Sequence, residues 1–221
     1  DNFWDVFSSD GFLRVTLFTL VWTVLNVTAH IGIGLFLALL LHRSKIRGKV
    51  AYRTLLLLPW AVPSYISVLV WRGMFQPDGF INDLLGTNID FLSDPTGAQV
   101  VVILVNIWLG VPFMMMSISG ALQSLPRDMY EAAEVDGVSG WKAFQHLTLP
   151  NLRSALVRLS LLRFIWTFNM FNINYLVSDG EPGGSTEILI SKAYKWAFER
   201  NFRYGYAAAY AVLVFGVLLI Y

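Results

Sequence analysis

The chain has no cysteine, which excludes disulfides, thiolate metal sites and cysteine nucleophiles. Charge is scarce. Asp, Glu, Lys and Arg make up 14% of the 221 residues, against roughly a quarter in soluble domains. The formal net charge is +1, so the basic excess of a nucleic-acid binder is missing. No glycine-rich loop ends in Lys followed by Ser or Thr, so the chain lacks the phosphate loop of an ATPase. DGEPGGSTE, Asp179 to Glu187, has the glycines without that ending. Nothing resembles a metal site or a catalytic triad. The opening DNFWDVFSSDGF is polar and acidic, without the basic start of a cleavable signal. The chain begins without methionine and stops within AAAYAVLVFGVLLIY, so it is expected to be a segment of a longer one.

What the chain does have is apolar surface: 56% of its residues are hydrophobic and 15% aromatic. A spanning helix needs about 20 mainly apolar residues. Five runs approach or exceed that, at about 13–41, 51–75, 98–122, 152–177 and 204–221. They are too long and too evenly apolar for alternating barrel strands. The expected fold is all-α: a polytopic membrane helix bundle forming a single transmembrane domain.

Loop charge sets the orientation. The first connection carries Arg43, Lys45, Arg47, Lys49 and Arg53 and no acid, which predicts the cytoplasmic side. The second carries Asp78, Asp83, Asp90 and Asp94 and no base, which predicts the outside. Alternation puts 123–151 in the cytoplasm. The connection 178–203 should then be outside, yet it holds Lys192, Lys195, Arg200 and Arg203, against the rule. A short helix is expected there from Glu187 to Phe198.

Pro59, Pro63 and Pro112 interrupt apolar runs. Each removes a backbone donor, making either a packing kink or a hinge at a cavity wall. The third run places Asn106, Leu109, Gly110 and Phe113 on one helical face. The fourth places Arg163, Trp166, Thr167, Met170 and Asn174 broadly on another. A mid-span arginine costs roughly 2.5–3.5 kcal/mol on insertion scales, so it must face a cavity or a neighbouring helix. An amide beside a glycine and an aromatic ring suits a sugar, and it equally suits plain helix packing. His30 and Asn26 read as packing residues.

The segment EAAEVDGVSGWKAFQHLTLP, Glu131 to Pro150, is a polar interruption between spans. Ser124 is placed to cap a helix with Pro126 in its first turn, and Gly137 to end it. GWKAFQHL then predicts a second short helix that Pro150 breaks. By physics alone the hairpin is either a connector or a docking surface whose small Ala132 and Ala133 let a partner approach.

Residues Glu131-Ala132-Ala133, Asp136-Gly137, Trp141, Phe144 and Leu149-Pro150 resemble the EAA motif of ABC-importer permeases. Tyr52–Phe75, FLSDP (Phe91–Pro95) and NIWLGVPFMM (Asn106–Met115) are similar to carbohydrate permeases of the maltose type. So is Arg163–Glu187 to the wider carbohydrate-permease pattern, with Met170 and Asn172 standing where acids are common there and Glu181 interrupting the glycine run.

The resemblance implies a type I ABC importer transmembrane domain working by alternating access in a bacterial or archaeal inner membrane. It implies that Tyr130, Glu131, Ala132, Ala133, Asp136, Gly137, Trp141 and Phe144 form a coupling helix docking on an ATPase. It also implies that Asn106, Leu109, Gly110, Phe113 and Trp166 meet sugar, with Thr167, Met170 and Arg163 at the pocket. No cofactor is expected on this chain; ATP and magnesium belong to the ATPase. The implied partners are a second homologous permease, two ATP-binding subunits, an extracytoplasmic sugar-binding protein, membrane lipid and a carbohydrate such as maltose or maltodextrin. An ion-gradient transporter is the rival. It needs intramembrane acids, and the first four runs contain none. A non-transporting scaffold leaves the loop unexplained.

Overall fold

The computed structural model describes residues 2–42, 48–200 and 202–220; Arg43, Lys45 and Arg47 of the basic connection lie outside them. Among the described residues the secondary structure is helical throughout. A short helix α1 (Asn2–Phe7) leads into α2 (Phe12–His42), whose 31 residues match the first apolar run. The third run becomes α6 (Pro95–Gln123), with Asp94 capping its start by accepting from the Gly97 N–H at 2.7 Å. Both helices are long and apolar enough to cross a bilayer. They carry exposed large side chains such as Leu13, Val24, Phe36, Val100 and Leu104, a surface suited to lipid rather than water.

The second run is not one rod. It divides into α3 (Lys49–Ala61) and α4 (Ser64–Met74), which meet at 91°. Pro63 explains the break. A residue before proline is pushed out of the helical region, and Val62 is extended at φ −88°, ψ 136°. A short helix α5 (Phe80–Leu85) follows on the predicted outer side.

The fourth run is broken as well. Helix α9 (Leu149–Phe168) stops at Asn169, and α10 (Phe171–Ser178) restarts after Met170. Helix α10 is tied to α4 by Asn172, whose amide donates to Ser64 Oγ at 3.1 Å, and by Arg72, which donates to the Leu176 carbonyl at 3.2 Å. Helix α11 (Leu189–Phe198) matches the short helix expected after the glycine turn. The last described element, α12 (Tyr204–Ile220), occupies the fifth run.

Three clusters of buried side chains form the core. One gathers Val15, Phe168, Leu189 and Tyr210, tying α2, α9, α11 and α12 together. A second holds Trp22, Val68, Val101, Val105 and Ile173. The third, with Ala38, Met114, Ile118, Leu122 and Leu152, locks α2, α6 and α9 near the predicted cytoplasmic side. Trp22 adds a long-range fix: its indole N–H donates to the Thr167 carbonyl at 3.0 Å, at the end of α9.

The polar loop departs from the expected capping. Ser124 closes α6 instead of opening the next helix; its hydroxyl donates to the Ala121 carbonyl at 2.8 Å. Helix α7 (Arg127–Val135) starts after Pro126, whose fixed φ suits a helix entrance. Its end is as expected. Gly137 sits at φ +70°, and the Val138 N–H reaches back to the Ala133 carbonyl at 2.9 Å. With Gly137 N–H on the Glu134 carbonyl, this is the Schellman arrangement, which favours glycine at the left-handed position.

Pro150 does not break the chain. Helix α8 (Gly140–Ala143), a π turn (Phe144–Thr148) and α9 run on continuously. Pro150 has no N–H to donate, and the wider π turn absorbs that: the Leu149 N–H bonds the Phe144 carbonyl, and the Asn151 amide donates to the Leu147 carbonyl at 2.7 Å.

Candidate functional site

The break between α3 and α4 opens a cavity of about 490 Å³. Residues 59–64 form one wall; Asn106, Leu109 and Gly110 of α6 form another; Arg163, Trp166, Met170, Asn172 and Ile173 close it. Two helical faces read separately from the sequence therefore meet across one space, at a wall made by the prolines. Asn172, which stands where acids are common in the carbohydrate-permease pattern, is among the lining residues; Trp60 and Ile173 are additions, and the Pro59–Pro63 pair is the sequence signal for the first of them.

Two predicted positions stand differently. Phe113 is not in the lining, but its ring centroid lies 5.3 Å from that of Trp166 and 6.4 Å from that of Trp60. It thus supports both cavity tryptophans from behind. Thr167 is fully buried outside the lining, with its carbonyl held by Trp22. Asn174 lies further along α10, donating to the Thr186 carbonyl at 3.1 Å.

His30 is the larger surprise. Arg163 Nη2 donates to His30 Nδ1 at 2.9 Å, and His30 Nε2 lies 2.9 Å from the Asn106 carbonyl oxygen. One tautomer satisfies both contacts: Nδ1 accepts from the guanidinium and Nε2–H donates to the carbonyl. Arg163 is thus held to a neighbouring helix while also lining the cavity. Gly110 makes room for the pair. A Cβ there would lie 2.1 Å from His30 Nε2 and 2.2 Å from Arg163 Nη2. Only glycine fits. Asn106 is fully buried, yet both atoms of its side-chain amide lack a partner among the described residues, as does Arg163 Nε. Buried polar groups left this way cost free energy unless water or a ligand meets them. No group of three His, Asp or Glu side chains converges for a metal among the described residues.

At the other end, the predicted docking residues form an exposed crest. Glu131, Ala132, Asp136 and Gly137 are exposed, and neighbouring Val135 is 88% exposed. Trp141, 65% exposed, stacks on Phe144 with centroids 5.4 Å apart. Tyr130 faces inward: its hydroxyl lies 3.0 Å from Thr148 Oγ1, pinning α7 to the π turn. Ala133 and Phe144 are half-buried at the base.

The connection 178–203 pairs three of its four cations with acids. Lys195 pairs with Asp179 at 3.1 Å and Glu187 at 3.6 Å, Arg200 with Glu187 at 3.2 Å, and Arg203 with Asp5 at 3.7 Å. Lys195 also donates to the Asp179 carbonyl. Burial pushes the Lys192 ammonium below its ordinary pKa, with Glu187 opposing.

An all-helical bundle with broken spans around a polar cavity, and a short exposed helical loop between spans, is the transmembrane-domain architecture of a type I ABC importer. The solved structure of a bacterial ABC transporter involved in import of the acidic polysaccharide alginate superposes at a TM-score of 0.91, with 24% identity, covering all of this chain and 79% of that one. An inward-facing MetNI methionine ABC transporter matches at 0.67, with 20% identity over 94% of this chain and 89% of that one. The chain belongs to the family of binding-protein-dependent transport system inner membrane components, whose model matches residues 30–221. It is therefore a multi-pass membrane component of a transporter. The maltose/maltodextrin transport system permease protein MalF of Klebsiella aerogenes is 39% identical across 97% of this chain, and that of Vibrio vulnificus 36% across the same share. The chain spans only 46% and 45% of those two relatives.

Proposed function

We propose that the chain is the core of a permease subunit in an ATP-driven carbohydrate importer of a bacterial or archaeal cytoplasmic membrane. It forms half of the pathway with a second homologous permease. A binding protein delivers an oligosaccharide, maltodextrin or a relative, from outside. Two separate ATPase subunits, holding ATP and magnesium, seat on the 123–151 loop. The observation that carries the reading is the cavity at the α3–α4 break, which brings Asn106, Leu109, Gly110, Arg163, Trp166 and Met170 together.

The chemistry fits a sugar. Trp60 and Trp166, braced by Phe113, offer flat apolar faces to C–H surfaces, and the Asn106 amide offers a donor and an acceptor to hydroxyls. Leu109 fills apolar wall. Gly110 acts indirectly, by admitting the His30–Arg163 pair. Thr167 holds the end of α9 in place through Trp22. On the loop, Glu131, Ala132, Ala133, Asp136, Gly137, Trp141 and Phe144 present the docking face, and Tyr130 anchors it.

Reconstitution of the assembled complex tests this. Sugar uptake should require ATP inside and binding protein outside. Glu131→Lys or Gly137→Asp should leave ATP hydrolysis running but lower uptake about tenfold or more, by opposing charge or left-handed strain at the docking face. Uptake driven by an ion gradient without the ATPase would sink the reading. Normal transport and co-purification of both loop variants would remove the docking role alone.

A further inference from the structure

We infer that the saccharide this cavity accepts carries an anionic group, a carboxylate of the uronate kind, and that Arg163 is the residue that reads its charge. The inference rests on the sugar-permease reading and adds a substrate class to it. Arg163 is 4% exposed and lines the cavity. It is the sole formally charged residue in the lining; Met170 and Asn172, the lining residues nearest it along the chain beyond Trp166, carry none. The four ion pairs among the described residues all lie in the outer connection or at its junction with α1. His30 supplies an acceptor, not a counter-charge.

A buried guanidinium without a carboxylate is costly. Neutral hydroxyls would satisfy the free Asn106 amide but would leave that charge uncompensated. A carboxylate satisfies both: it accepts from Arg163 in a charge-assisted bond and from the Asn106 amide N–H. Helix ends do not change this sign. The α3 C-terminus and the α4 N-terminus both reach the cavity at residues 61–64, and their partial charges oppose each other. The formal charge of Arg163 therefore sets the potential of the site. Gly110 and His30 fix where that charge stands.

The test uses the full-length subunit assembled with its second permease, ATPases and binding protein in ATP-loaded proteoliposomes. The probes are a radiolabelled uronate trisaccharide and size-matched maltotriose. The uronate should enter about tenfold faster or more, the scale of one charge-assisted bond. Arg163→Gln should erase that preference by lowering uronate uptake about tenfold more than maltotriose uptake; Arg163→Lys should keep part of it. The binding protein is the same in every arm, so a changed ratio reports the cavity. Maltotriose entering as fast as the uronate overturns the inference and leaves the sugar-permease reading standing. Equal loss of both probes in Arg163→Gln also overturns it, making Arg163 a packing residue. Should Arg163→Gln fail to assemble, the wild-type ratio and Arg163→Lys decide. Entry of neither saccharide overturns both readings.

Discussion

The loop at 123–151 and the connection at 178–203 are both polar, glycine-containing interruptions between apolar helices, and they handle their polarity in opposite ways. The connection at 178–203 pairs most of its cations internally or with Asp5. Glu187 is 3% exposed and Lys195 4%, and each is the other's partner. The loop spends nothing on its own charges: Glu131, Glu134 and Asp136 are exposed, and none joins an ion pair among the described residues. A segment that satisfies itself holds a shape. One that leaves carboxylates, Ala132 and a tryptophan in the open suits the docking role proposed for it.

The contrast can be broken or sharpened by substitution. The largest effect is expected from Glu187→Ala, which leaves buried Lys195 with Asp179 alone and Arg200 without its acid; about 2–3 kcal/mol of stability should be lost, read as a lowered midpoint of thermal unfolding in detergent. Next comes Tyr130→Phe, which removes the hydroxyl contact to buried Thr148 and should cost about 0.5–1.5 kcal/mol by the same measurement. The smallest is Asp136→Ala on the crest, which should move stability by no more than about 0.5 kcal/mol. If Asp136→Ala proved as damaging as Glu187→Ala, the loop would be a structural element and the comparison would fail.

Much of this was legible in the chain. Run length and evenness gave α2, α6 and α12 close to their ends. The prolines marked the wall of the cavity, though not its right angle, which arises from Val62 taking an extended backbone. Local rules failed where neighbours compete. Ser124 serves the end of one helix rather than the start of the next, because α6 ends on its hydroxyl and α7 starts only after Pro126. Pro150 looks like a stop in the sequence, but a π turn lets the helix pass a missing donor.

The candidate site was half visible. Periodicity gave the two lining faces, since Asn106, Leu109 and Gly110, and Arg163, Trp166 and Met170, recur at helical spacing. The partner of Arg163 was hidden, because His30 lies 133 residues away in sequence. Its signal was present as the spacing of Asn26 and His30, two polar residues one turn apart in an apolar run. Thr167 shares a helical face with the lining, but the tight hold of Trp22 on its carbonyl keeps it in the core. The cations of 192–203 stand against the loop-charge rule in the sequence, and the acids that Lys195, Arg200 and Arg203 meet are brought to them by folding.

The unbroken path from α8 through the π turn into α9 has a mechanical consequence. Trp141 on the exposed crest and Trp166 at the cavity stand on one continuous helical rod, separated by about 38 Å at roughly 1.5 Å per residue. A rod of that length is a lever. If its loop end tilts by about 5°, the tryptophan at the other end moves by about 3 Å, close to the breadth of a sugar hydroxyl contact. Its regular hydrogen-bond pattern is interrupted at the π turn, and Tyr130 holds that turn from the side.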